Sequence, residues 1–424
     1  MSNDIGEDTV WPLTKRILFR FAVAFFVLIN FPFPFDFIPV DRLQPFFMAI
    51  SDAPVHLAAR LLHVSVAIRP NGSGDTTYSW VNLLCVAIIA VVITVIWSLL
   101  DRRRRNYDWG WILFRAYLRF VLAAAMLSYG IAKVIPSQFP APLLDRLMQR
   151  FGDASPMGLL WTFMGASVPY NIFSGAAEML GGLLLTMRRT TLLGALVSMG
   201  TLVNIVMLNF AYDVPVKIYS SQLLAMAILI ALPDIPRLID FFIRHRPVAP
   251  APLPRLTRSR AAEVAGIVVR TLAVAVFLVM SIREVRENLR NYSGPASRSP
   301  LYGIWRVDGF QVDGREIPLG ADLTRWRRLI FDIRTTATVQ TMDDSNRRLR
   351  AQFDEKKQTL TVSRRNEPQW DGRLVYTRPD PNTLTIDGML GGHQVHALCH
   401  SEPIPKFLLT TRGFHWVNEY PFNR

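Results

Sequence analysis

Seven apolar runs occupy most of residues 1–300: Ile17–Phe35, Trp80–Leu100, Gly110–Ile135, Pro169–Met187, Thr190–Tyr212, Val214–Leu232 and Val264–Ile282. Each is close to the roughly 20 residues that a helix needs to cross a bilayer, so each predicts a spanning helix. The first lacks a small-residue cleavage site and leads into Pro32-Phe33-Pro34-Phe35. It therefore reads as a retained helix and not as a signal peptide. In the long loop that follows it, Pro54–Ile68 sets Leu57, Leu61, Leu62, Val64 and Val66 among basic residues and predicts an interfacial helix. Met157–Met164 predicts another just ahead of Pro169. Pro247 to Pro254 reads as a stiff linker.

The pattern changes at Leu301. Short alternating runs follow one another: Trp305–Val312, Leu329–Ile333, Thr336–Met342, Arg348–Phe353, Thr359–Val362, Arg373–Thr377, Thr383–Ile386, Gln394–Leu398 and Phe407–Thr411. Turn dipeptides such as Asp313-Gly314 and Asp387-Gly388 separate them. Period-two alternation with regular turns predicts an antiparallel meander of eight or nine strands. Closing such a sheet removes its edges, so a small barrel is expected. The expected fold is thus an α-helical integral membrane bundle of about seven helices followed by an all-β barrel. The expected divisions are 1–109 (two helices and an external loop), 110–246 (a four-helix core), 247–262 (linker), 263–300 (seventh helix and connector) and 301–424 (barrel).

Composition agrees with a membrane protein. Charged residues make up 19% of the 424 residues and hydrophobic residues 50%, against about 25% charged in soluble chains. Two cysteines exclude a disulfide scaffold. The net charge of +14 is unevenly placed: residues 301–424 hold 18 basic and 15 acidic side chains, residues 1–300 hold 29 and 18. The excess sits in short runs between apolar segments, which is the pattern of cytoplasmic loops and not of a nucleic-acid surface. Lys15 and Arg16, Arg102 to Arg105, Arg188 and Arg189, and Arg237 to Arg260 all fall on one side when the spans alternate. The expected location is a bacterial-type inner membrane, with the amino terminus in the cytoplasm and the barrel in the periplasm.

Ionisable groups within spans are costly and face a partner or a cavity. Arg115, Arg119, Met126, Gly130 and Lys133 share one face of the third span. Arg119 and Glu178 each lie about 14 Å from the same membrane face, counting 1.5 Å per residue. An Arg119–Glu178 structural ion pair is expected, with Arg115 as second choice. A second group gathers at the other end: Lys133, Asn209, Tyr212, Asp213, Lys217, Ser220 and Ser221, with Asp213, Lys217 and Ser221 at successive i, i+4 steps. These lysines either snorkel to the interface or bind an anionic or quinone-like head group. Lys133, Asn209, Tyr212, Lys217 and Ser221 are the candidate ligand-binding residues, and Lys217 and Asp213 the candidate catalytic pair.

Gly130-Ile131-Ala132-Lys133, then Glu178-Met179-Leu180-Gly181-Gly182-Leu183-Leu184-Leu185, then Asn209 to Ser221, resemble the DoxX family over roughly residues 110–235. The resemblance implies a four-helix membrane bundle often associated with redox systems, such as the small subunit of thiosulfate:quinone oxidoreductase. The membrane domain of vitamin-K-dependent carboxylase is distantly similar. It also covers proteins that act as non-enzymatic assembly or chaperone factors, so it does not choose a reaction. By position, Lys133 and Glu178 match polar positions of that family. Gly303-Ile304-Trp305 is similar to the start of lipocalin-like barrels, where an arginine from the last strand covers the tryptophan, a place Arg412 could fill.

His393, His396 and His400 do not form a metal site on a strand, where residues four apart are about 13 Å apart. The aromatic terminus from Arg412 to Arg424 either plugs the barrel or docks on the rim near Lys217 and Lys133. No bound cofactor is implied, and a quinone or another small hydrophobic ligand is the expected occupant of the polar pocket. The expected function is a quinone-linked or other membrane redox process. The alternative is a non-catalytic assembly factor that holds an exported, periplasmic partner protein through the β domain.

Overall fold

The computed structural model describes residues 10–33, 44–66, 72–250, 259–292, 297–320, 322–323, 325–364 and 367–423. Its helices are α1 (Leu13–Ile29), α2 (Gln44–Leu61), α3 (Thr77–Leu100), α4 (Asp108–Val134), α5 (Leu144–Leu147), α6 (Pro156–Ala166), α7 (Val168–Thr186), α8 (Thr191–Ala211), α9 (Lys217–Ala231), α10 (Ile235–Phe242), α11 (Arg260–Tyr292) and α12 (Leu408–Thr411). Two compact units result: Met1–Ile131 with Ser174–Met280, and Ala132–Phe173 with Ser281–Arg424.

Each apolar run coincides with a helix over most of its described length. Among the described residues, five helices are long and apolar enough to cross a membrane: Thr77–Leu100, Asp108–Val134, Thr191–Ala211, Lys217–Phe242 and Arg260–Arg290. Helix α1 has 17 residues. It stops where Asn30 Nδ2 donates to Phe26 O at 2.7 Å and Pro32 brings no donor. The rest of the expected first span, Pro34 and Phe35, lies outside the described residues. Helix α7 has 19 residues and interrupts its apolar positions with Asn171, Ser174 and Glu178. The interfacial helix expected at Pro54–Ile68 lies earlier, at Gln44–Leu61, with Pro54 inside it. It ends because His63 turns left-handed (φ 53°) and the Val64 N–H folds back onto Ala59 O, a helix stop of the αL type. Ile68 and most of the linker, residues 251–258, lie outside the described residues.

In the first unit, α4 supplies the central face, with Phe114, Leu118 and Leu122 packed among Leu202 of α8 and Met226 and Ile230 of α9. Two glycines of the sequence motifs set the spacing. A Cβ on Gly130 would stand 2.5 Å from Met179 Cγ and 2.7 Å from Gly175 O; one on Gly181 would stand 2.6 Å from Ser198 Oγ. Only glycine lets α4 and α8 approach α7 this closely.

The second unit is built on strands β1 (Arg298–Val312), β2 (Arg315–Glu316), β3 (Trp326–Ile333), β4 (Thr336–Thr341), β5 (Asn346–Asp354), β6 (Thr359–Ser363), β7 (Gly372–Asp380), β8 (Thr383–Leu390) and β9 (His393–Glu402). Each long strand pairs antiparallel with the next, and β1 pairs with β9, closing an eight-stranded barrel; β2 is a short hairpin partner of β1. Asp313 and Gly314, both at positive φ (52° and 73°), make the two-residue turn of that hairpin. Asp387-Gly388 is not a turn: β8 runs on to Leu390, and Gly388 passes so close to β7 that a Cβ would lie 2.4 Å from Arg373 O. The expected strand at Phe407–Thr411 is instead the short helix α12. Pro403 and Pro405 precede it, and β9 is already paired on both sides, so no free edge remains for another strand.

Side chains fill the barrel. Trp305, Phe310, Trp326, Phe331, Leu384 and Cys399 belong to one buried cluster. The buried Arg325 sits at the start of β3 and donates to the carbonyls of Ile317, Val307, Trp326 and Asp308. Arg378 covers Trp305, with its guanidinium carbon 5.3 Å from the ring centre. Arg412, expected in that role, stacks on Phe422, because the segment that carries it left the sheet at Pro403. The aromatic terminus does not plug the barrel: Phe414 is 76% exposed and Trp416 92%.

Candidate functional site

The α8–α9 turn positions the polar residues of the first unit. Asp213 turns left-handed (φ 50°), the Val214 N–H donates to Asn209 O at 2.9 Å, and α9 begins at Lys217. No side chain of the turn caps α9. The cap comes from 142 residues away: Asp75 Oδ2 accepts the Lys217 N–H at 2.8 Å and Oδ1 the Ile218 N–H at 3.1 Å. The Gly74 N–H donates to Pro215 O at 2.8 Å and fastens the same loop to the turn. A carboxylate on two free helix N–H groups suits the positive end of the helix dipole.

Lys217 is therefore held from two sides. Its Nζ donates to Asp213 Oδ1 at 2.9 Å and lies 3.8 Å from Asp75 Oδ2. Asp213 is 85% exposed and Asp75 only 9%. Beside Nζ a cleft of about 250 Å³ opens between α1, α3, α8 and α9; Phe25, Phe26, Trp80 and Phe210 are among its walls, and Lys217 and Ser221 stand at its polar end. Asn209 Nδ2 donates to Ser220 Oγ at 3.0 Å and braces α8 against α9 behind it. Tyr212 caps α8 through its backbone and is half-buried, away from the cleft wall. Lys133 is buried on the last turn of α4 and belongs to the second unit. An aromatic slot whose polar lining is an ammonium group, a hydroxyl and the Gln222 carboxamide suits a flat apolar body with a carbonyl or anionic head.

The expected Arg119–Glu178 pair does not form. Arg119 donates from Nε to Leu185 O at 3.0 Å and from Nη2 to Thr186 O at 3.3 Å. Leu185 lies seven residues beyond Glu178, about 10 Å along α7. The guanidinium caps the free carbonyls at the end of α7, where the helix dipole favours a cation. Arg115, the second choice, donates to Ile230 O and reaches Asp234 at 2.6 Å, and Asp234 also takes Arg237 at 2.7 Å. Sequence reasoning also missed Arg20. It is buried among Tyr107, Ser98 and the Asp101 carbonyl with hydrogen bonds of 2.9, 2.7 and 3.1 Å.

In the second unit the connection after α4 is sewn to the barrel. The Leu144 N–H donates to Asp332 Oδ2 at 2.6 Å, Asn346 Nδ2 to Asp145 O at 2.8 Å, and Arg348 Nε to Asp145 Oδ2 at 2.6 Å. Burial pushes the Asp332 carboxyl up. The three histidines of β9 face separate carboxylates: His393 meets Asp313, His396 meets Asp387 and His400 meets Asp308.

An uncharacterized protein of Bacillus subtilis (strain 168), YwoB, is 33% identical over 135 residues, which cover 84% of that protein and 31% of this chain. The chain belongs to the YwoB family. The YwoB match leaves more than two thirds of the chain without a counterpart, so the family accounts for one portion of it. No family model matches the chain, and no solved structure does.

Proposed function

We propose that this is a multi-pass inner-membrane protein with a DoxX-like bundle and a periplasmic lipocalin-like barrel, and that the cleft at Lys217 binds a quinone or a similar hydrophobic ligand for a membrane redox process. The observation that carries the reading is Lys217 itself, an ammonium group at the polar end of an aromatic cleft. One of its donors goes to Asp213 and Asp75 lies 3.8 Å away as an ion-pair partner, which leaves donor capacity for a ligand carbonyl. Asp213, largely exposed beside it, exchanges protons with solvent; Ser221 adds a hydroxyl, and Asn209 braces α8 against α9 behind the cleft. In this reading α1 and α7 also span, giving seven crossings. The contact of the α4–α7 connection with the barrel supports the sidedness, because seven alternating spans from a cytoplasmic amino terminus put both on the periplasmic face.

Purification in mild detergent followed by mass spectrometry of the extracted lipids tests this. A quinone at near-stoichiometric amount, lost in Lys217→Ala, is the expected result. Absence of any quinone-like species from the wild type would overturn it.

A second reading rests on the terminus. Phe414, Trp416 and Tyr420 are all more than three-quarters exposed, which suits a non-catalytic assembly factor that holds an exported protein through its β domain. A stoichiometric protein partner retained in Lys217→Ala and lost on deletion of residues 412–424 would favour it.

A further inference from the structure

The apolar stretch that begins at Lys217 runs through α9 and α10 to Phe242, 26 residues in all. At about 1.5 Å per residue, a hydrocarbon core of about 30 Å is crossed after about 20 of them. The chain from Arg237 onward therefore reaches the head-group layer at the end of the span opposite Lys217. The sequence of α10 suits that depth. Ile235, Leu238, Ile239 and Phe242 follow i, i+3, i+4 and i+7 spacing on one face, while Arg237 and Asp240 lie on the other. A short helix so divided lies at an interface and not in a core.

A chain reversal follows α10 and is held by specific bonds. His245 turns left-handed (φ 51°), the Arg244 N–H donates to Ile239 O at 3.0 Å and the Arg246 N–H to Asp240 O at 2.9 Å, a helix stop of the αL type. Arg237 Nη2 donates to Ala249 O at 3.2 Å and ties the returning chain to the helix. Between helix end and reversal an open cleft of about 480 Å³ is lined by Phe241, Phe242, His245, Arg246 and Pro247. The two phenyl rings meet edge to face at 4.9 Å and are 59% and 65% exposed. The cations beside the cleft are already paired, Arg244 with Asp240 at 2.9 Å and Arg237 with Asp234 at 2.7 Å. Among the described residues, no hydrogen bond or ion pair engages the side chain of Arg246 or of His245. A guanidinium fork matches phosphate oxygens, and an imidazole N–H adds a donor.

We propose that this cleft binds the phosphate head group of an anionic phospholipid, with Arg246 and His245 on the phosphate and Phe241 and Phe242 beside the glycerol and the first acyl carbons. The depth of the cleft and its aromatic walls favour a lipid over a free anion. The site stands at the far end of α9 and α10 from the Lys217 cleft and does not depend on a redox function.

The test uses the full chain in mild detergent. Native mass spectrometry compares retention of phosphatidylglycerol with that of phosphatidylcholine, and a photoreactive phosphatidylglycerol is mapped by peptide digestion, with and without millimolar inorganic phosphate. The wild type should hold phosphatidylglycerol at least fivefold more tightly than phosphatidylcholine and carry the crosslink on residues 241–247. Arg246→Gln, which breaks no hydrogen bond of the fold, should keep the melting temperature in lipid-free detergent. It should reduce the preference about fivefold, the usual effect of one basic residue near a charged lipid. Equal retention of the two lipids by the wild type, an undiminished preference in Arg246→Gln, or a crosslink that misses residues 241–247 overturns the proposal. Loss of the crosslink to inorganic phosphate overturns the lipid assignment.

Discussion

Replacing Asp75 tests how the Lys217 rim is built. Its carboxylate takes two N–H groups of the first turn of α9, at 2.8 and 3.1 Å, and stands 3.8 Å from Lys217 Nζ. Losing a helix cap costs about 0.5–2 kcal/mol, and removal of a negative charge from the helix start adds about 0.3–1 kcal/mol. Asp75→Ala removes both acceptors from a side chain that is 9% exposed, so about 2–3 kcal/mol is expected. Asp75→Asn keeps one acceptor and loses the charge, for about 1–1.5 kcal/mol. Asp213→Asn removes the partner that is 85% exposed and should cost less than about 0.5 kcal/mol. Melting of the full chain in one detergent at one scan rate separates the three. At about 2–4 °C per kcal/mol for a unit of this size, Asp75→Ala should fall by about 4–12 °C, Asp75→Asn by about half as much, and Asp213→Asn by less than about 2 °C. Equal falls for Asp75→Ala and Asp213→Asn would refute the reasoning, since the buried cap would then contribute no more than the exposed pair.

Gly130→Ala places a Cβ 2.5 Å from Met179 Cγ and should cost about 1–3 kcal/mol through forced separation of α4 and α7. Gly200→Ala, with nothing within 4 Å, should be neutral or stabilise by up to about 1 kcal/mol, and paired melts check both. Hydrogen bonds from Thr341 Oγ1 and from the Ser345 N–H and hydroxyl pull the Asp343 carboxyl down to about 2. A folded value below the unfolded one means stability that is present above the ordinary carboxyl range near 4 and is lost as pH falls through about 2. Asp343→Asn should therefore lower stability near neutral pH by about 1 kcal/mol after discounting for its exposure, and the gap to wild type should close by pH 2 in denaturant melts. Burial pushes the Cys399 thiol up to about 12, so maleimide labelling at pH 8 should track unfolding of the barrel; labelling of the folded protein within minutes would contradict its 0% exposure.

The strands of the barrel were legible because each alternates in and out of a single core, and a period of two survives in the sequence without knowledge of partners. The ninth was misread because Phe407–Thr411 alternates like a strand, yet sheet membership depends on a free edge, which β9 had already used. Helices were legible from the length of their apolar runs, though not their ends: α2 stops at a left-handed His63, a residue with no glycine signature. Asp213, Lys217 and Ser221 were found through i, i+4 spacing on one chain segment. Asp75 was not, because it caps a helix 142 residues away, while its neighbour Thr76 takes the cap of α3, accepting the Ser79 N–H. Arg119 was paired wrongly because depth counted on Cα positions ignores the reach of a guanidinium, which can bypass a carboxylate for the carbonyls at a helix end.

Whether the cleft beside Lys217 is a head-group site is tested most directly by the dissociation constant of a soluble short-chain quinone for the purified full chain, read by quenching of tryptophan fluorescence. Saturable binding in the wild type, weakened at least tenfold in Lys217→Ala, is the predicted result, as loss of one charge-assisted hydrogen bond of about 1.5–3 kcal/mol requires. Equal constants for the two proteins, or no saturable binding in either, would contradict it.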